Sequence, residues 1–102
     1  MSDAIVSPAP AVAQGPGIVV SGARVDPVIA PPRVGLIVSK AVGNSVTRHA
    51  VARRLRAAAS GVVRDLDDGA LVVIRALPTA VGDDSDELAA QLRSGLSKVG
   101  AL

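Results

Sequence analysis

Between Arg33 and Arg64 the chain carries seven basic side chains, Arg33, Lys40, Arg48, Arg53, Arg54, Arg56 and Arg64, and no Asp or Glu. Such a segment must bury its apolar residues while leaving a block of like charges in water. Its first part alternates Val34, Leu36 and Val38 with Gly35, Ile37 and Ser39, the period of a β-strand with one core face. After a Gly43-Asn44 turn the period becomes helical, and Val51, Leu55, Ala58 and Val62 form a stripe that a packed helix would bury. Asn44 or Ser45 is the expected N-cap. Gly61 is the expected stop, with Val62 to Arg64 able to add one more turn.

On that helix His49, Ala52, Arg53 and Arg56 recur at i, i+3, i+4 and i+7 and share one face, with Arg48 at its edge and Arg54 projecting elsewhere. Neighbouring like charges cost about 0.2–0.5 kcal/mol per pair. Cations in a first helical turn are disfavoured by about 0.3–1 kcal/mol more. A helix face that only needed solubility would mix signs, so this one predicts an anionic partner. A phosphate at the helix start would meet free backbone N–H groups, the positive end of the helix dipole, Lys40, Arg48 and the Asn44 amide together.

The rest of the chain supplies a small scaffold. Residues 1–16 hold three prolines, Pro8, Pro10 and Pro16, among small residues without useful period, and read as a disordered Pro/Ala-rich tail. Residues 17–102 read as a single α+β domain. Ile18 to Val20 and Ala23 to Val25 suggest a strand interrupted at Gly22, and the three prolines of segment 26–32 a turn or edge loop. Asp65, Asp67, Asp68 and Gly69 read as a solvated loop rather than a metal site. The β-branched run from Ala70 to Leu77, ended by Pro78, suits a central strand covered on both faces. Asp84 and Glu87 form a capping-box pattern ahead of a last helix whose Leu88, Leu92, Leu96 and Val99 should pack on the sheet. Strand, strand, helix, strand, helix in this order gives a small α+β sandwich of a mixed sheet with helices.

Several functions are excluded or disfavoured. The chain has no cysteine, so neither disulfides nor thiolate metal sites are available, which agrees with a cytoplasmic location. It has no Phe, Tyr or Trp, so its core must be aliphatic and cannot stack bases on aromatic rings. No apolar run reaches the roughly 20 residues of a membrane span. His49 is the lone histidine and no nucleophile is spaced to work with it, so it reads as a phosphate contact, not a general base. No catalytic or metal-ligating residue is assigned. The spacings of nucleotide-binding loops are missing around Gly35 and Gly43, which leaves no small-molecule substrate to expect.

The run from Ser39 to Arg56, SKAVGNSVTRHAVARRLR, resembles the signature of the bacterial ribonuclease P protein component, usually S-K-K-x-G-N-A-V-x-R-N-R-x-K-R-x-[IL]-R. It matches at Ser39, Lys40, Gly43, Asn44, Val46, Arg48, Arg53, Leu55 and Arg56, and departs at Ala41, Ser45, His49, Ala50 and Ala52. The last two departures remove cations from the basic face. The resemblance extends from about Gly17 to Val99. It implies a β-α-β crossover of the rare left-handed kind, as in the second domain of a small-subunit ribosomal protein. It also implies a cytoplasmic ribonucleoprotein in which a catalytic RNA with its own Mg²⁺ removes the 5′ leader of precursor tRNA. The protein's RNA contacts would fall on Ser39, Lys40, Asn44, Arg48, His49, Arg53 and Arg56, with the ribonuclease P RNA and precursor tRNA as partners. The family's first helix, basic and aromatic, which with the sheet forms a cleft for the leader, is expected to be missing, because no Arg-rich, Phe-containing segment precedes Gly17.

Overall fold

The computed structural model describes residues 11–24, 31–66 and 69–100. Four strands, β1 (Ala11–Gln14), β2 (Ile18–Arg24), β3 (Arg33–Ile37) and β4 (Ala70–Ala76), and two helices, α1 (Ser45–Val62) and α2 (Ser85–Lys98), make up an α+β fold. The sheet order is β1-β2-β4-β3. β1 and β2 form an antiparallel hairpin, and β2 runs antiparallel to β4 from Ile18↔Ala76 to Arg24↔Ala70. β3 lies parallel to β4, so the chain must cross over between them, and α1 is that crossover.

Both helices pack against one face of the sheet. Alternation puts Ile18 and Val20 of β2 and Ala70, Val72, Ile74 and Ala76 of β4 on that face, all buried. They form one cluster with Val51, Leu55, Ala58 and Val62 of α1 and Leu88, Leu92 and Leu96 of α2. The stripes that sequence periodicity assigns to the core are therefore the buried ones, with Val99 packed at the margin as the C-cap of α2. Each fully buried Leu, Ile or Val contributes about 1.5–3 kcal/mol of transfer free energy, which is how an aromatic-free chain of this size acquires a core.

Three expectations need correction. The first 16 residues are not all tail, because Ala11–Gln14 pairs with β2 and buries Ala13 beside Val20. The ladder supplies the strand signal that this short segment lacks in sequence, and Pro16, in the hairpin turn, accepts a hydrogen bond from the Thr79 hydroxyl. Residues 1–10, like 25–30 and the acidic pair Asp67 and Asp68, lie outside the described residues. β2 is continuous through Gly22. β4 is central as expected but covered on one face only: Leu71 and Arg75 are exposed on the other, because both helices went to the first.

Backbone closeness sets the seat of α2. A Cβ on Gly95 would lie 2.7 Å from Val20 Cγ2, so the helix meets β2 where it has no side chain. Gly95→Val should lower unfolding free energy by about 1–3 kcal/mol through overpacking, read as a reduced urea midpoint at unchanged slope.

Candidate nucleic-acid interface

The turn into α1 is built residue by residue. Ser39, in extended conformation, starts a 3-10 turn over Lys40–Val42, closed by hydrogen bonds from Val42 N to Ser39 O (3.1 Å) and Gly43 N to Lys40 O (3.2 Å). Buried Val42 pins it to the core. Gly43 then adopts φ +153°, a backbone conformation open to glycine, and a Cβ there would press on Thr47 at 3.0 Å. Asn44 is the N-cap: its Oδ1 accepts from Thr47 N at 2.9 Å, which settles the choice between Asn44 and Ser45. The helix passes Gly61, which is exposed and unconstrained, and ends at Val62 in a further 3-10 turn over Val63–Asp65.

Burying Val51, Leu55, Ala58 and Val62 fixes the rotation of α1 about its axis. His49, Arg53 and Arg56 are consequently exposed on the opposite side, with Ala52 half-buried between them. Lys40 is exposed in the preceding turn. Arg48 is half-buried, and its Nε is enclosed without a hydrogen-bond partner. Val38, Ser45, Arg48, His49, Ala52 and Arg56 together line a shallow concavity at the start of the helix. Among the described residues the one ion pair is Arg93 with Asp65, at 3.3 Å and exposed on both sides, so no carboxylate there neutralises the α1 row.

Of the seven expected contact residues, Arg48, His49 and Arg56 line that concavity and Arg53 is exposed on the same helix, while Ser39 and Asn44 shape the preceding turn, on which Lys40 is exposed. Arg54 is the one basic residue of the helix interior with an internal task. Its Nη1 donates to Val81 O (3.1 Å) and Asp83 O (3.0 Å), tying α1 to the turn that leads into α2. Its offset of one residue from Arg53 marks it as off the row, but nothing in the sequence identifies the carbonyls it serves. A second tie joins Gly17 N to Gln91 Oε1 and Gln91 Nε2 to Asp83 Oδ2, both at 2.8 Å.

Fold and site together define a small α+β domain that turns a basic helix face to solvent, unpaired with any carboxylate among the described residues. The chain belongs to the ribonuclease P protein family, whose family model, described as Ribonuclease P, matches residues 8–100. It is 61% identical over 69 residues to the ribonuclease P protein component of Nocardia farcinica, covering 68% of this chain and 44% of that protein. It is 52% identical over 85 residues to that of Mycolicibacterium vanbaalenii, covering 82% and 71%. The chain therefore spans 44% to 71% of the length of these curated relatives. Among solved structures, a Staphylococcus aureus RNase P protein mutant superposes with a TM-score of 0.78 at 18% identity, over 91% of this chain and 77% of that one. The RNase P protein of Thermotoga maritima does so with a TM-score of 0.71 at 16% identity, over 83% and 79%. At those identities the likeness shows the fold.

The cap makes a direct prediction. Asn44→Ala should cost about 0.5–2 kcal/mol of stability, with Asn44→Ser recovering most of it, as measured by thermal or urea unfolding monitored by far-UV circular dichroism.

Proposed function

We propose that this chain acts as the protein subunit of ribonuclease P and assists a catalytic RNA in endonucleolytic removal of the 5′ leader from precursor tRNA in the cytoplasm. The observation that carries this reading is the exposed row of His49, Arg53 and Arg56, extended by Lys40 and Arg48, on a helix whose other face is locked into the core. Cations fixed on a rigid element lose little further entropy on meeting phosphates, and each neutralised phosphate releases condensed counterions. Family membership and the strong identity to ribonuclease P protein components support the same reading.

In this scheme the chain supplies no catalytic group. The cleavage chemistry belongs to the RNA partner and to Mg²⁺ that the RNA holds, and the protein lowers the cost of packing that RNA and its substrate together. Lys40, Arg48, Arg53 and Arg56 contact phosphates, with Ser39, His49 and the amide N–H₂ of Asn44 reaching phosphate or 2′-hydroxyl groups nearby. Recognition is by backbone shape, since a double-stranded RNA exposes little base sequence to side chains. On this reading the uncovered face of the sheet, with Val12, Ile37 and Leu71 exposed beside Arg33 and Arg75, would meet the leader through aliphatic and cationic contact, with no ring to stack on.

Arg48→Ala and Arg53→Ala should each weaken binding to ribonuclease P RNA and reduce the slope of log K against log salt by about one unit per lost phosphate contact. Filter binding at several salt concentrations reads both, and unchanged affinity and slope would reject the row as the RNA surface. Restoration of precursor-tRNA cleavage at low Mg²⁺, on adding the chain to ribonuclease P RNA, separates a holoenzyme subunit from a module that only binds RNA.

A further inference from the structure

We propose that His49 is a proton-linked phosphate ligand: docking of the RNA backbone captures its imidazole in the cationic form, so that this chain holds RNA more tightly as pH falls from 8 towards 6. The proposal rests on the reading that the α1 row is the RNA surface, and it adds a regulation that this reading does not require.

Position comes first. His49 is the only histidine of the chain, it is exposed, and it stands one and two helical turns before Arg53 and Arg56 on the same face. It lines the concavity at the start of α1 with Ser45, Arg48 and Arg56, so a phosphate held by those arginines lies within reach of the ring. The ribonuclease P signature carries asparagine here. An amide can donate a hydrogen bond to a phosphate at any pH, whereas an imidazole does so as a full cation only when protonated. The exchange of Asn for His therefore replaces a constant contact with a titrating one.

The charged neighbours of His49 on its own helix and in the turn before it are cations. From α1 itself come Arg48, Arg53 and Arg56, and from the preceding turn Lys40; the segment after β3 contributes uncharged Val38. The turn over Pro78–Gly82, packed on α1, is followed by Asp83, whose carboxylate accepts from Gln91. α2, also packed on α1, brings Asp86, Glu87, Arg93 and Lys98; Glu87 is engaged in the capping box with Asp84, and Arg93 is paired with Asp65. Among the described residues no carboxylate lies within ion-pair distance of His49. The anion that favours the imidazolium is thus the RNA, and an opposite charge brought to within hydrogen-bond range favours the charged form. The sign follows: a group protonated more readily in the complex than in the free protein takes up a proton on binding, so affinity is highest at low pH and falls as pH rises through the range in which imidazoles discharge.

The test uses the full chain and, as probe, a bacterial ribonuclease P RNA transcribed in vitro. Affinity should be about three- to tenfold higher at pH 6 than at pH 8 at constant salt, the size expected for one imidazole gaining a phosphate partner. His49→Asn should bind with little pH dependence, and His49→Lys should bind at pH 8 about as tightly as the unsubstituted chain does at pH 6. Because the chain has one histidine, the Cε1–H signal of ¹³C-labelled protein reports its titration alone, and its midpoint should rise when RNA is added. Equal pH dependence in the unsubstituted and His49→Asn chains, or a midpoint that RNA does not move, overturns the proposal. If Arg53→Ala changes the salt slope while the pH profile stays flat, the RNA surface stands and the proton linkage fails; if Arg53→Ala leaves the slope unchanged, both fail.

Discussion

Everything in this domain depends on the packing of α2 against α1 over a sheet that has only aliphatic side chains to offer. Leu88, Leu92 and Leu96 meet Val51, Leu55 and Ala58 above Ile18, Val20, Val72 and Ile74, and all of these are almost entirely withdrawn from water. Without aromatic rings to fill volume, the core reaches density by seating helix backbone directly on aliphatic side chains, as Gly95 does over Val20. The apolar residues suffice for one layer of helices on one face. The other face of the sheet and the outer face of α1 are left to solvent.

That shortage is what gives the basic helix its orientation. Four buried residues hold α1 in one rotation, and the Arg54 bonds to Val81 and Asp83 hold it in one position along its axis. Gln91 extends the same polar seam to the β1–β2 hairpin through Gly17 and Asp83. His49, Arg53 and Arg56 then face outward, and Asn44 caps the first turn of the helix. On the proposed reading, the electrostatic cost borne in the free protein is what makes this face complementary to a polyanion.

Much of this was legible in the residues. The buried stripes of α1 and α2, the Asp84 capping box, the strand-helix-strand order and the outward row all follow from period and charge, because each is a local pattern repeated over several turns. What could not be read is what depends on pairing across the chain. β1 has no signal of its own, and becomes a strand only because Val12 and Ala13 find Ser21 and Val20 opposite. The uninterrupted β2 and the one-sided covering of β4 are likewise decided by neighbours in the sheet. Of the site, His49, Arg53 and Arg56 were visible as a spacing and Lys40 and Arg48 as charges near the helix start, whereas the distinct duty of Arg54 depended on carbonyls 27 and 29 residues away. The unpartnered Arg48 Nε is a consequence of packing at the helix start and has no sequence signature.

The seam between β2 and β4 pairs Ile18 with Ala76 and Arg24 with Ala70, whereas β2's own hairpin with β1 is entirely local. Sheet closure must therefore wait until α1 and β4 have both left the ribosome, and until then Ile18 and Val20 have only a two-stranded ribbon around them, which is marginal in water. α2, which follows β4 in the chain, is the element that roofs the whole cluster, so a nascent chain stopped before Leu88 would display its aliphatic floor rather than a finished domain.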